Sequence, residues 1–152
     1  MDRKKWSKLL FVGYCALMLW LLYGQRIGQA GSGTYWQQLK SHIVYTPFET
    51  IRRFLWVLRY SDQPGMIRHA VVNLAGNVIM FVPLGCLAPC IWKKLQKFGR
   101  HFLTMVLIIV IIELTQLFTL LGSCDVDDLM LNLVGTTIGF VLWIIWHWMT
   151  KE

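Results

Sequence analysis

A few polar side chains interrupt otherwise apolar stretches from residue 73 onwards. Asn73 and Asn77 lie four residues apart, and Glu113 and Gln116 lie three apart, so each pair shares one face of a helix. A third group of acids and amides follows: Asp125, Asp127, Asp128 and Asn132. Because polar groups cost free energy in an apolar environment, such residues are the first candidates for a binding or catalytic site.

The composition around these residues indicates that a membrane is the main solvent. The 152 residues are 56% hydrophobic and only 15% charged, with a mean hydropathy of +0.51. A soluble domain has about 25% charged residues. These values exclude a disordered chain, a coiled coil and a collagen-like repeat, and the length predicts one domain over residues 1–152.

Four apolar stretches are long enough to cross a bilayer core of about 30 Å, which takes about 20 helical residues. They cover about residues 9–23, 70–92, 102–121 and 129–149, with Trp and Tyr near their ends. The predicted fold class is therefore an all-α integral membrane protein with four transmembrane helices. For the first stretch a cleaved signal peptide is the alternative, because residues 28–30 form a small-x-small site.

The basic residues predict the orientation of the helices. Lys and Arg number 15 against 8 Asp and Glu, which gives a net charge of +7. They concentrate before the first helix and in the short loop 93–100, so both termini and that loop are predicted in the cytoplasm. The loops 24–69 and 122–128 then face outward, and the inverted topology is the alternative. This distribution provides no nucleic-acid surface.

The long outer loop contains a predicted amphipathic helix. Thr46, Pro47 and Glu49 read as an N-cap, a first helical residue and the partner of a capping box. Apolar residues follow at helical spacing: Phe48, Ile51, Leu55 and Leu58. We expect this helix to lie in the membrane interface, and an ordinary loop helix packed on the bundle is the alternative.

In the predicted topology the polar groups all fall in the outer half of the membrane. We therefore expect an outward cavity whose ligand-binding residues are Asn73, Asn77, Glu113, Gln116, Asp125, Asp127, Asp128 and Asn132. Its rim would be lined by the loop arginines Arg52, Arg53 and Arg68. Glu113 is the strongest of these candidates, since an ionised carboxylate near mid-bilayer needs a cation, hydrogen-bond donors or water.

Structural roles are the alternative for several of these residues. Asn pairs and the GxxxG sequence of Gly135 and Gly139 commonly join membrane helices, within one chain or between copies in a homo-oligomer. Asp127 or Asp128 could cap the fourth helix. The four cysteines and four histidines show no metal-ligand spacing, so neither a metal nor a cofactor is predicted.

The order of these motifs resembles the VanZ-like family, named for a teicoplanin-resistance accessory protein. The resemblance rests on Asn73-Leu-Ala-Gly-Asn77, on Glu113-Leu-Thr-Gln116, and on the sequence from Gly122 to Asp128. Many members have an arginine where this chain has Leu121. The resemblance implies a small multi-pass protein of the bacterial cell membrane that lowers susceptibility to teicoplanin, a lipidated glycopeptide.

Three functions remain open at the level of the sequence. The first is a non-enzymatic factor whose partners are membrane lipids, a lipoglycopeptide or a lipid-linked cell-wall component. The second is an intramembrane enzyme acting on a cell-envelope lipid, in which Glu113 and Asp128 serve as acid and base or as ligands of a metal. The third is a small transporter or flippase.

Overall fold

The computed structural model describes residues 3–24 and 33–150, so the small-x-small site at 28–30 lies outside the described residues. Six α-helices and two short strands make up this part of the chain: α1 (Arg3–Leu22), α2 (Tyr35–Ser41), β1 (Ile43–Val44), α3 (Glu49–Tyr60), α4 (Pro64–Ile91), α5 (Phe98–Thr119), β2 (Cys124–Asp125) and α6 (Val126–Met149). By length and composition α1, α4, α5 and α6 can each cross a membrane. The predicted fold class is confirmed.

Each long helix begins three to six residues before the apolar stretch that predicted it and ends at or shortly before the predicted end. At 28 residues α4 is about 42 Å long, which exceeds the bilayer core of about 30 Å. It begins at Pro64, six residues before the predicted start, because proline is favoured in the first helical turn. After Ile91 the chain passes through Trp92 into a short 3-10 helix, Lys93–Gln96, which connects α4 to α5.

The helices α4 and α6 form the most extensive contact in the described structure. Gly135 and Gly139 bring α6 so close that a Cβ on either would overlap a backbone carbonyl of α4, that of Val78 or of Val82. Gly85 of α4 makes the reciprocal approach to the Thr136 carbonyl. The GxxxG sequence therefore joins two helices of one chain, and its buried glycines present no face to a second copy.

The helices α1 and α5 complete the bundle around a core that holds few polar groups. The Tyr14 hydroxyl donates to the Met80 carbonyl at 2.7 Å, which fixes α1 against the middle of α4. Phe11 packs edge-on against Trp92 near the other end of α4, at 5.1 Å between centroids. The buried core residues are Met18, Phe81, Leu84, Ala88, Met105 and Ile109.

The predicted helix in the long loop exists as α3, but its start and its buried face differ from the prediction. It begins at Glu49 with Phe48 as its N-cap in the left-handed conformation (φ 63°), so Thr46 is not the cap and Pro47 is not helical. The buried face consists of Thr50, Phe54 and Val57, while Leu55 and Leu58 are exposed.

A short parallel strand pair, which no pattern in the sequence predicted, holds the long loop to the end of the bundle. The strand β1 pairs in parallel with β2, joining Ile43 to Cys124 and Val44 to Asp125. The backbone N–H of Cys124 also donates to the His42 carbonyl at 2.8 Å. Two residues per strand are too short for a strand pattern to be visible in the sequence, and the pairing places α3 directly over the start of α6.

Replacing Gly139 by alanine should destabilise the protein by about 1–3 kcal/mol, the usual cost of overpacking. The new methyl group meets backbone atoms of Val82 and Cys86, which cannot move aside as a flexible side chain could. Thermal unfolding of the purified protein in detergent measures the effect. Gly13→Ala is the matched control, because a Cβ at Gly13 in α1 meets nothing within 4 Å. Equal melting temperatures for the two variants would contradict the close packing.

Candidate functional site

Glu113 is a buried carboxylate in the last turns of α5, with 4% of its surface exposed. The backbone N–H of Asp125 approaches its Oε2 at 3.4 Å, and the side-chain amide of Asn132 approaches its Oε1 at 3.4 Å. Both distances exceed the usual 2.9–3.0 Å of a strong N–H···O bond. Glu113 thus has polar neighbours from the start of α6, held by long hydrogen bonds.

Asp128 and Asn77 make a second polar contact, between α6 and α4. The Asn77 side-chain amide donates a short hydrogen bond to Asp128 Oδ1. Asp128 lies in the first turn of α6, where the positive end of the helix dipole favours a negative charge. The contact connects the polar faces of the second and fourth long helices.

Asp125 and Asp127 are buried and serve the folding of the loop. Asp125 is the N-cap of α6: its Oδ1 accepts from the Asp127 N–H at 2.9 Å, so the predicted cap at Asp127 or Asp128 is wrong by two or three residues. Its Oδ2 accepts from the Thr50 hydroxyl at 2.6 Å. Asp125 lies about one turn before the apolar run of α6, so its carboxylate can reach the free N–H groups in the first turn of that helix.

Asp127 caps α3 from outside that helix. Its two oxygens accept from the backbone N–H groups of Phe48 at 2.6 Å and Ile51 at 3.0 Å. These N–H groups belong to the start of α3, where no earlier turn supplies acceptors. A side chain from α6 therefore does what the capping box was predicted to do, which explains why Thr46 is not needed as the cap.

A cavity of 340 Å³ lies on the side of the bundle where α1 and α5 end and where α4 and α6 begin. Its volume falls within the range of about 300–1,000 Å³ typical of small-molecule sites. Six of the eight predicted ligand-binding residues line it: Asn73, Asn77, Glu113, Gln116, Asp128 and Asn132. Apolar side chains, among them Leu22, Val72 and Met80, complete the wall.

The other predicted site residues lie elsewhere. Asp125 and Asp127 are not lining residues of this cavity, since their oxygens face the start of α3 and of α6. The three arginines predicted at the rim are exposed and do not line it either. Arg52 donates to the Phe48 carbonyl at 3.3 Å, and Arg53 lies over the Phe54 ring at 5.3 Å.

Two carbonyl oxygens at the cavity lack a hydrogen-bond donor among the described residues. They are Oδ1 of Asn73 and Oδ1 of Asn132, and both atoms are buried. Asn132 as a whole is 2% exposed, so water has little access to it. An unsatisfied buried acceptor costs about 1–3 kcal/mol, which makes these oxygens notable in a folded protein.

The thiol of Cys124 senses the negative charge of this region. Burial raises its pKa above the ordinary value, and the carboxylates of Glu113 and Asp125 raise the pKa further because they disfavour a nearby thiolate. Cys124 lies in β2, outside the long helices. It is therefore a natural reporter of any change in charge at Glu113.

Two polar lining residues of the cavity were not among the predicted ligand-binding residues. His69 lies on α4 one turn before Asn73, and its ring contacts that of Phe54 in α3 at 5.5 Å. Ser123 enters the wall through the turn after α5. The helical spacing of His69 from Asn73 and Asn77 was the available signal, whereas only the turn geometry brings Ser123 inward.

The wall of the cavity is rich in hydrogen-bond acceptors. Glu113 and Asp128 supply carboxylate oxygens and the asparagines supply carbonyl oxygens, so the wall is suited to a ligand that donates hydrogen bonds. Within residues 3–24 and 33–150, no three His, Cys, Asp or Glu side chains gather as a metal site would need. Two carboxyl groups at one cavity are also suited to act as a general acid and a general base.

The comparison with protein families gives a match over nearly the whole chain. The model of the VanZ/LLP1 family matches residues 11–147. This match confirms the resemblance to the VanZ-like family that the sequence motifs indicated. No curated protein and no solved structure is significantly similar to the chain.

Removing the Asp127 carboxylate should loosen α3 and lower the stability of the protein. Asp127→Ala leaves the Phe48 and Ile51 N–H groups without acceptors, and a hydrogen bond to a charged group contributes about 1.5–3 kcal/mol. We expect a lower melting temperature and faster amide exchange at residues 48–52. Asp62→Ala, at an exposed acid next to α3, is the control. Unchanged exchange at residues 48–52 would show that Asp127 does not cap α3.

Proposed function

The chain belongs to the VanZ/LLP1 family, and on that premise we propose that it is a bacterial protein that contributes to glycopeptide resistance of the teicoplanin type. In this proposal the polar cavity binds a lipid head group or the lipidated antibiotic at the outer leaflet of the cell membrane. The observation that carries it is the gathering of Asn73, Asn77, Glu113 and Asn132 at one end of a largely apolar bundle. Polar groups at such a depth are expensive unless they serve a ligand.

The charges at the two ends of the bundle support an outward cavity. Lys5 and Lys8 stand at the start of α1, whereas Leu21 and Leu22 at its end line the cavity. The basic residues of segment 93–100 likewise lie before α5 or in its first turn, and the cavity residues Glu113 and Gln116 come near the end of that helix. Because basic loops stay in the cytoplasm, this polarity favours cytoplasmic termini and a site near the outer surface.

The outer face of α3 supports contact with lipid. Trp56 and Leu55 are exposed, with 60% and 53% of their surfaces accessible, and Arg52 and Arg59 are exposed beside them. Basic residues next to exposed apolar side chains suit a surface of anionic lipid phosphates. Because α3 also contacts His69, a lipid drawn to this helix would be brought near the cavity.

The orientation predicts that Cys124 is reached from outside the cell. An impermeant maleimide should label it in intact cells, slowly at pH 7 and faster at pH 8.5, because its raised pKa keeps the reactive thiolate scarce at neutral pH. Glu113→Gln should increase the rate by removing a negative charge. Cys124→Ser is the control for labelling at other cysteines. Labelling that requires lysis of the cells would contradict the outward cavity.

Teicoplanin protection should depend on the cavity residues. Glu113→Ala and Asn77→Ala should lose most of the protection that the wild type gives, while Glu113→Gln keeps part of it because an amide still fills the space. Glu49→Gln, the same change at an exposed carboxylate, should protect fully. The measurement is the minimal inhibitory concentration of teicoplanin at equal membrane levels of each variant. Full protection by both alanine variants would overturn the proposed site.

An intramembrane enzyme is the second candidate function, and the observation that favours it is that Glu113 and Asp128 line the same cavity. The enzyme would need a carboxyl that transfers a proton, so Glu113→Gln should abolish its function completely. Partial protection by Glu113→Gln therefore distinguishes binding from catalysis. Passage of a substrate through the bundle has less support, because the described lining residues extend from one end of the long helices only as far as Met80 in the middle of α4.

A further inference from the structure

We propose that the ligand of the cavity presents a primary ammonium group, which donates hydrogen bonds to the Glu113 carboxylate and to the carbonyl oxygens of Asn73 and Asn132, with the Asp128 carboxylate as a second negative charge in the same wall. This inference rests on the proposed function, because it specifies the chemistry of the ligand at the same site. A lipid head group and an antibiotic that carries an amine could both supply such a group.

The balance of charge in the wall selects a cation. Two of the lining side chains are carboxylates, and none of the lining residues within the described chain is a lysine or an arginine. Among the residues that the structure describes, His69 is the one basic side chain of the wall. An anion such as a phosphate would meet unfavourable charge here.

The unpartnered oxygens select a donor of several hydrogen bonds. Asn132 is nearly inaccessible and its Oδ1 accepts no hydrogen bond from the described residues, although its amide group approaches Glu113. Oδ1 of Asn73, on the α4 side of the cavity, is also buried and accepts no hydrogen bond from the described residues. A primary ammonium has three N–H groups and no acceptor, so it satisfies a carboxylate and two carbonyl oxygens together.

The same observations disfavour a divalent cation and a quaternary ammonium. Ca²⁺ takes about six to eight oxygen ligands and Mg²⁺ keeps an octahedral shell, whereas the described wall supplies two carboxylates and four side-chain amides, of which the Asn77 amide is already bonded to Asp128. A quaternary ammonium has no N–H group for the Asn73 and Asn132 oxygens. Aromatic cages are the usual sites for that cation, and none of the lining residues that the structure describes is Phe, Tyr or Trp.

Binding of radiolabelled ethanolamine to the purified protein at pH 7 tests the proposal. Equilibrium dialysis should show saturable binding that weakens about tenfold or more in Glu113→Gln, as expected when a charge-assisted hydrogen bond is replaced by a neutral one. Glu49→Gln should bind like the wild type. Unlabelled choline and Mg²⁺ should compete poorly at matched ionic strength. Equal competition by choline or by Mg²⁺, or no saturable binding, would overturn the proposal.

A second variant keeps the test decisive if Glu113→Gln folds poorly. Asn73→Leu removes an unpartnered buried oxygen, so it should raise the melting temperature and at the same time weaken ethanolamine binding. Loss of stability with unchanged binding would contradict a role for Asn73 in the site. A purely structural role predicts the reverse of the expected result.

Competition by larger amines distinguishes the sources of the ammonium. Short-chain phosphatidylethanolamine should displace ethanolamine where phosphatidylglycerol does not, if the ligand is a lipid. Teicoplanin should displace it only before acetylation of its amines, if the ligand is the antibiotic. Displacement by phosphatidylglycerol as strong as by phosphatidylethanolamine would overturn the ammonium assignment.

The inference and the proposed function can fail separately. If ethanolamine binds as described while the Glu113→Ala and Asn77→Ala variants protect fully against teicoplanin, the proposed function is wrong and the ammonium site stands. If those variants lose protection but ethanolamine does not bind, the site is required for resistance and its ligand lacks a primary ammonium.

Discussion

Backbone carbonyls of α4 occupy the places where side chains of α6 would stand if Gly135 and Gly139 were any other residue. Two helices can approach this closely only where one of them lacks a Cβ. The contact fixes the depth and rotation of α6 against α4, and with them the positions of Asn77 and Asp128 across the gap. The polar cavity is the space left where α1 and α5 close around this pair of helices.

The acids of the chain divide into two groups by the donors they meet. Asp125 and Asp127 are surrounded by donors from the first turns of α3 and α6, so their burial is offset by hydrogen bonds of 2.6–3.0 Å. Glu113 has longer bonds, at 3.4 Å, and opens onto the cavity. Burial of a charge is tolerated where donors are close. Asp125 and Asp127 therefore hold the ends of α3 and α6 in place. Glu113 and Asp128 supply the carboxylates of the cavity wall.

The excess of acceptors in the cavity connects stability with function. Two buried carbonyl oxygens without donors lower the stability of the folded protein. Natural proteins tolerate such costs mainly at functional sites, where a ligand can supply the missing hydrogen-bond donors. The exposed basic and aromatic residues of α3 lie beside the same end of the bundle, so attraction to a lipid surface and recognition of a cationic group can act on one molecule.

Composition alone determined the four long helices, because the bilayer leaves no other way to satisfy a peptide backbone, and the helical spacing of Asn73 with Asn77 and of Glu113 with Gln116 placed each pair on one face. The tertiary structure decided what each acid does. Asp125 and Asp127 have the same side chain as Asp128 and adjoin it, yet only the packing of α3 and the two-residue strands turns their oxygens away from the cavity. Hydrogen-bond partners distant in sequence leave no periodic signal, so the capping of α3 by Asp127 and the inward position of Ser123 follow from the fold alone.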